Sequence, residues 1–168
     1  MRALFTIGYE GARIEDFVAT LLTAGVTQVL DVRELAISRR KGFSKSAFSS
    51  HLQAAGISYR HERWLGSPTD IRNRLREDGD YARYFKAFDR YLKTQSEALA
   101  ELTDELGESV VLVCYERNPE ECHRKSVAAA ISVLTGVTAR HLGVREGSAK
   151  HHETKAPRPH TRQSISAA

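Results

Sequence analysis

The chain has 168 residues, 41% apolar and 27% charged, the balance of a soluble globular protein and not of a disordered or collagen-like one. At roughly 150 residues per domain, that length predicts one compact domain, taken as residues 1–143, with a tail over 144–168. The formal charge of +4 is uneven: Arg145 onward carries five Lys or Arg against two Asp or Glu, so residues 1–144 hold only +1 and the basic character belongs mostly to the tail.

Ala3 to Gly8 is short, apolar and rich in strand formers, and Gly8 and Gly11 mark a turn after it. Met1 leads straight into this run without a signal-peptide pattern, so a cytoplasmic location is expected. Ile14, Phe17, Val18, Leu21 and Leu22 then recur at helical spacing, with Gly25 as the stop. Val26 to Val32 is largely apolar from end to end, which fits a strand covered on both faces in a parallel sheet. A polar loop runs from Arg33 to Gly42, and Ser44 is the expected N-cap of a helix that carries Phe48 and Leu52 and stops at Gly56.

Ile57 to Tyr59 is a brief third strand, and residues 61–78 read as a long connection containing Gly66 and Pro68. Tyr81, Tyr84, Phe85, Phe88, Tyr91 and Leu92 make an aromatic helix face, expected to pack on the sheet rather than to bind a ligand. Ala98 to Leu106 continues as helix. Val110 to Val113 is a buried strand, far too short to cross a bilayer, and no membrane partner is expected. After Pro119 a small-residue helix is expected from about Cys122 to Leu134, then a last strand over Val137 to Leu142. Beyond Gly143 the Ser, Lys, His and Pro content without apolar periodicity predicts a disordered tail. The order βαβαβ(αα)βαβ implies a single Rossmann-like three-layer α/β domain with a mainly parallel sheet of about five strands.

In such a sheet, ligands bind at the C-terminal ends of the strands, where the strand order reverses. Those ends carry Tyr9 and Glu10, then Asp31 and Arg33, then His61, then Glu116. Glu10, Asp31 and Glu116 are candidate acids, bases or orienters, and His61 and His123 candidate proton shuttles. The alternative is a set of solvated strand ends that neutralise one another. Ser38, Arg39 and Lys41, in a run of three cations before Gly42 and a helix N-terminus, suggest a phosphate site, with Arg33, Arg39 and Arg124 as anion grips and Tyr9 as a further ligand contact.

Cys122 is a candidate nucleophile with His123 or His61 as its base, or else a small buried residue. Two cysteines are too few for a disulfide framework, and Cys114 and Cys122 do not form a C-x-x-C. Cys114, Cys122, His61 and His123 offer a metal option, but the close ligand pairs that make zinc motifs specific are missing and no metal is assigned. Gly8 and Gly11 supply only part of a dinucleotide fingerprint, so no cofactor is assigned either.

Thr6-Ile-Gly-Tyr-Glu-Gly11, Asp31-Val-Arg33 with Ser38-Arg39 and Gly42-Phe43-Ser44, Gly56-Ile-Ser-Tyr59 with His61 and Leu65-Gly66, and Cys114-Tyr-Glu116 with Cys122-His-Arg124 follow one another over most of the expected domain. Together they resemble the DUF488 family of uncharacterised bacterial and archaeal proteins. That family's pattern usually has a proline between the Asp-Val-Arg and Ser-Arg elements, where this chain has Ala36. The resemblance implies an α/β domain that groups these polar elements, and it implies no reaction. The expected function is an enzyme or enzyme-like domain that binds a phosphate-bearing ligand, a nucleotide or nucleic-acid segment, at the sheet edge. Its rivals are covalent chemistry at Cys122 and a non-enzymatic nucleic-acid or protein binding module that uses the basic tail.

Overall fold

Residues 1–153 are described by the structure, a computed structural model. Five parallel strands form its sheet: β1 Ala3–Gly8, β2 Gln28–Asp31, β3 Ser58–His61, β4 Ser109–Cys114 and β5 Ala139–Leu142, in the order β3-β2-β4-β1-β5. The most apolar strand, β4, lies at the centre, because only a strand covered on both faces can bury Val110 to Cys114 without interruption. Its side chains alternate between two cores, as the period of two requires. Val110, Leu112 and Cys114 join Leu4, Leu30 and Val32 on one face, while Val111 and Val113 join Phe5, Ile7 and Val29 on the other.

Two helices, α1 Ile14–Thr23 and α2 Lys45–Ala54, cover the second face with Ile14, Phe17, Leu21, Phe48 and Leu52. The first face is covered by α4 Tyr81–Thr94, α5 Ser96–Glu105 and α6 Arg124–Thr135. In α4 the buried residues are Tyr84, Phe88 and Leu92, one turn apart, and the Asp80 side chain caps the helix by accepting from the Arg83 amide at 2.9 Å. This is the three-layer α/β domain that the apolar pattern implies. Among the described residues no helix is long and apolar enough to cross a membrane.

Three local expectations are corrected, and a fourth, the Ser44 N-cap, holds in position while its hydroxyl bonds elsewhere. Residues 61–78 are not a bare connection: they hold a 3-10 turn, Arg63–Leu65, and a ten-residue helix, α3 Thr69–Asp78, closed by Gly79 in the left-handed conformation (φ 65°). The helix expected from about Cys122 starts at Arg124, because Pro119 opens a separate 3-10 turn, Pro119–Glu121, after which Cys122 is extended. Ser44 occupies the N-cap position of α2, but its hydroxyl closes the preceding loop instead, donating to the Ser38 carbonyl at 3.0 Å and accepting from the Ser38 amide. In the segment expected to be a disordered tail, Ser148–Glu153 forms a short helix, α7, against α1, tied by the Ala149 amide to the Asp16 carboxylate at 3.0 Å. The remaining tail residues, 154–168, lie outside the described residues.

The chain leaves β2 toward β3 over the α1/α2 face and leaves β4 toward β5 over the opposite face. Since β2 and β4 are neighbours, their loops diverge and open a crevice between them.

Candidate active site at the switch point

Asp31, at the end of β2, is fully buried and flanked by Val113 and His61 in register. Two residues on, and so on the same side of extended chain, Arg33 grips it with both arms, Nε to Oδ1 at 2.8 Å and Nη2 to Oδ2 at 2.5 Å. The Tyr59 hydroxyl donates to Oδ2 at 2.7 Å, and Arg33 spends its remaining arm on the Tyr9 hydroxyl at 3.0 Å and the Phe43 carbonyl at 2.9 Å. Both charges are saturated inside the fold. Burial and the nearby Asp31 charge push the Tyr59 hydroxyl above its ordinary range, and the pairing with Asp31 outweighs burial in holding the Arg33 guanidinium protonated.

Several further sequence candidates are also hydrogen-bonded or packed within the fold. Tyr9 is buried, stacked on Phe43 with ring centres 4.4 Å apart. Glu10 accepts from the Arg117 amide at 3.0 Å, fixing the loop after β4. His61 Nε2 donates to the Arg33 carbonyl at 2.8 Å. Arg124, only 1% exposed, is spread over the Thr6 hydroxyl and the Glu116 and Arg117 carbonyls. Gly8 makes this crossing possible: a Cβ there would lie 1.8 Å from the Glu116 carbonyl oxygen.

The crevice itself is a cleft of about 900 Å³. One wall is the loop after β2, with Leu35, Ile37, Ser38, Arg39 and Arg40; the opposite wall is α3 and the start of α4, with Arg72, Arg76, Tyr81 and Tyr84. Tyr9, Arg33, Glu34, Leu75, Cys114, Tyr115, Glu116, Glu121 and His123 line the rest of it. The Arg72 guanidinium is paired with Glu34, and Arg40 Nε bonds the Ala12 carbonyl. Arg39 has no hydrogen-bond or ion-pair partner among the described residues, and Arg76 contacts only the Asn73 side chain, at 3.3 Å. Lys41 is exposed and does not line the cleft. Arg72, Arg76 and Tyr81 were not among the sequence candidates, because the segment read as a loop or a packed face. The only signal was the pair Ile71 and Leu75 at i, i+4 between Pro68 and Gly79.

Beside this cleft lies a buried cluster. Cys114 Sγ is 3.2 Å from Glu116 Oε2 and 3.9 Å from His123 Nδ1. The sulfurs of Cys114 and Cys122 and a ring nitrogen of His123 all lie within 4.8 Å of one another. His123 Nε2 donates to the Val32 carbonyl at 2.8 Å, and its ring meets Phe88 edge-on. Burial opposes ionisation of Cys122, but Cys114, His123 and the Arg124 charge together hold its thiol well below the ordinary range. The neighbouring Cys122 sulfur, then burial, drives the Cys114 thiol well up. Burial, reinforced by Cys122, raises the Glu116 carboxyl to about 7. His123 is raised despite its burial, because Cys122 favours the imidazolium.

A family model, described as a domain of unknown function, DUF488, matches residues 13–131. The chain belongs to the DUF488 family. The match runs from the start of α1 to Ile131 in α6, so in this DUF488 protein it includes both walls of the cleft and the whole thiol and imidazole cluster. Neither the curated proteins nor the solved structures gave a match.

Proposed function

We propose that this DUF488 protein is an enzyme whose cleft between β2 and β4 binds a phosphate-bearing ligand with a planar ring, a nucleotide or a nucleic-acid segment. The observation that carries the reading is the pairing of cations with exposed aromatic rings over one cleft. Arg39 and Arg76, without carboxylate partners among the described residues, supply the anion grips, and the half-exposed rings of Tyr81 and Tyr115 supply faces on which a base stacks. Arg33 and Arg124 act as scaffold in this reading, since their guanidinium groups are engaged within the fold. Glu116, on the cleft and against Cys114, is the group best placed for acid or base work. Asp31, Glu10 and His61 orient the loops.

A thermal-shift screen of the full chain against nucleotides, the matching nucleosides and inorganic phosphate tests this. The reading expects nucleotides to stabilise the protein more than either fragment does, and a flat screen removes it.

A second reading, covalent chemistry at Cys122 with His123 as its base, is favoured by the His123 ring nitrogen within 4.8 Å of the Cys122 sulfur. A Cys122→Ser protein that keeps full turnover ends that reading.

A further inference from the structure

We propose that Cys114, Cys122 and His123 form a three-ligand site for a divalent transition metal of the zinc class, with its fourth position facing the cleft. The three side chains come from different backbone settings: the last residue of β4, the extended residue after the Pro119–Glu121 turn, and the N-cap of α6. They nonetheless bring their donor atoms together, all within 4.8 Å of one another, with Cys114 Sγ and His123 Nδ1 at 3.9 Å. In a tetrahedral zinc site the sulfur–sulfur and sulfur–nitrogen edges are about 3.6 to 3.8 Å. A contraction of a few tenths of an ångström closes the Cys114–His123 edge to that size.

The orientation of His123 is an independent argument. A carbonyl oxygen can only accept, so the 2.8 Å contact with Val32 keeps a proton on Nε2, and in the neutral ring that a metal binds the lone pair is then on Nδ1, the nitrogen that faces Cys114. A backbone carbonyl fixing the far nitrogen is the usual outer support of a metal-bound histidine. Two thiolates and one imidazole are also the donor set that selects zinc over the oxygen-seeking cations.

Cys114 and His123 line the cleft, so the open side of the triangle is reached from it. Glu116 stands outside the triplet, its Oε2 3.2 Å from Cys114 Sγ. Three protein ligands with an open fourth position is the arrangement of catalytic zinc, whereas structural sites close on a fourth side chain. The inference thus deepens the cleft reading by placing a Lewis acid under the bound ligand. It also competes with covalent chemistry, because a ligated Cys122 thiolate is not a free nucleophile.

The test is cobalt and zinc titration of the full chain after chelator treatment. The expected result is one cobalt per chain with thiolate-to-cobalt charge-transfer absorption and the intense visible bands of tetrahedral cobalt, displaced by one equivalent of zinc. The histidines of the tail cannot produce the charge-transfer band. Cys114→Ser and Cys122→Ser should each weaken that band, and His123→Ala should shift the visible bands; circular dichroism confirms that each variant is folded. If stoichiometric cobalt gives the wild type no charge-transfer band, the proposal is overturned without reference to any variant. Because no cleft ligand is needed, a positive cobalt spectrum beside a flat nucleotide screen sinks the cleft reading alone, and the reverse pair of results sinks only the metal site.

Discussion

The ring of His123 and the carbonyl of Val32 are joined by a 2.8 Å hydrogen bond that spans the switch point, tying the N-cap of α6 to the chain just past β2. Through it the loop that carries Glu116 and Cys122 is held against the loop that carries Arg33 and Arg39. The site is therefore built on the rigid ends of two adjacent strands, while the grips of the cleft project from exposed positions.

Breaking the buried pair beneath that loop should be costly. Asp31→Ala leaves the 5%-exposed guanidinium of Arg33 without its carboxylate, and removal of one partner of a buried pair typically costs about 3–5 kcal/mol. Urea unfolding should show that loss as a lower midpoint with an unchanged slope.

Gly8→Ala should destabilise as well, for a steric reason. Its Cβ would require the Glu116 backbone to move away, an overpacking cost of about 1–3 kcal/mol. The displaced loop also joins Cys114 to Cys122, so cobalt binding should weaken in the same variant while Gly143→Ala, with open space around its Cβ and no left-handed backbone, leaves cobalt binding intact.

Phe43 is fully buried between Tyr9, Phe17 and Phe48. Phe43→Ala should cost about 3–5 kcal/mol. Thermal unfolding checks it, and a loss below about 1 kcal/mol would mean that the aromatic stack is not a core element.

The strands and the helix faces were legible because burial imposes its own period: Val110 to Val113 and the Tyr84, Phe88, Leu92 stripe read directly as sheet centre and helix face. Helix α3 was not, because none of its residues is buried and its single apolar pair, Ile71 and Leu75, is too short a pattern to set a period. Strand order was hidden for another reason: nothing local in Val110 to Val113 says that β4 inserts between β2 and β1. At the site, sequence identified which ionisable residues gather at the strand ends but not which of them hydrogen-bond within the fold. Asp31 and Arg33, two apart on extended chain, carried the signal for their own pairing. Arg124 carried none, since its partners are backbone carbonyls eight and seven residues upstream and the Thr6 hydroxyl.

Acid should loosen α7 before it unfolds the domain. The amides of Ala149 and Gly147 hold the Asp16 carboxyl below its ordinary range, so this contact stabilises the folded chain above the unfolded carboxyl range and is lost as pH falls through the lowered value. Protection factors of the amides at residues 147–150, taken relative to intrinsic exchange at each pH, should fall on acidification through that window, and Asp16→Asn should remove most of that pH dependence.

The cleft reading is tested most directly by calorimetric titration of a nucleotide into the wild type and into the Arg39→Ala/Arg76→Ala double variant. Both arginines sit on the cleft without carboxylate partners among the described residues, so the double variant should keep its unfolding midpoint and lose at least about tenfold in nucleotide affinity, or 1.4 kcal/mol. Equal affinity in the two proteins, or no binding by the wild type, would contradict the account.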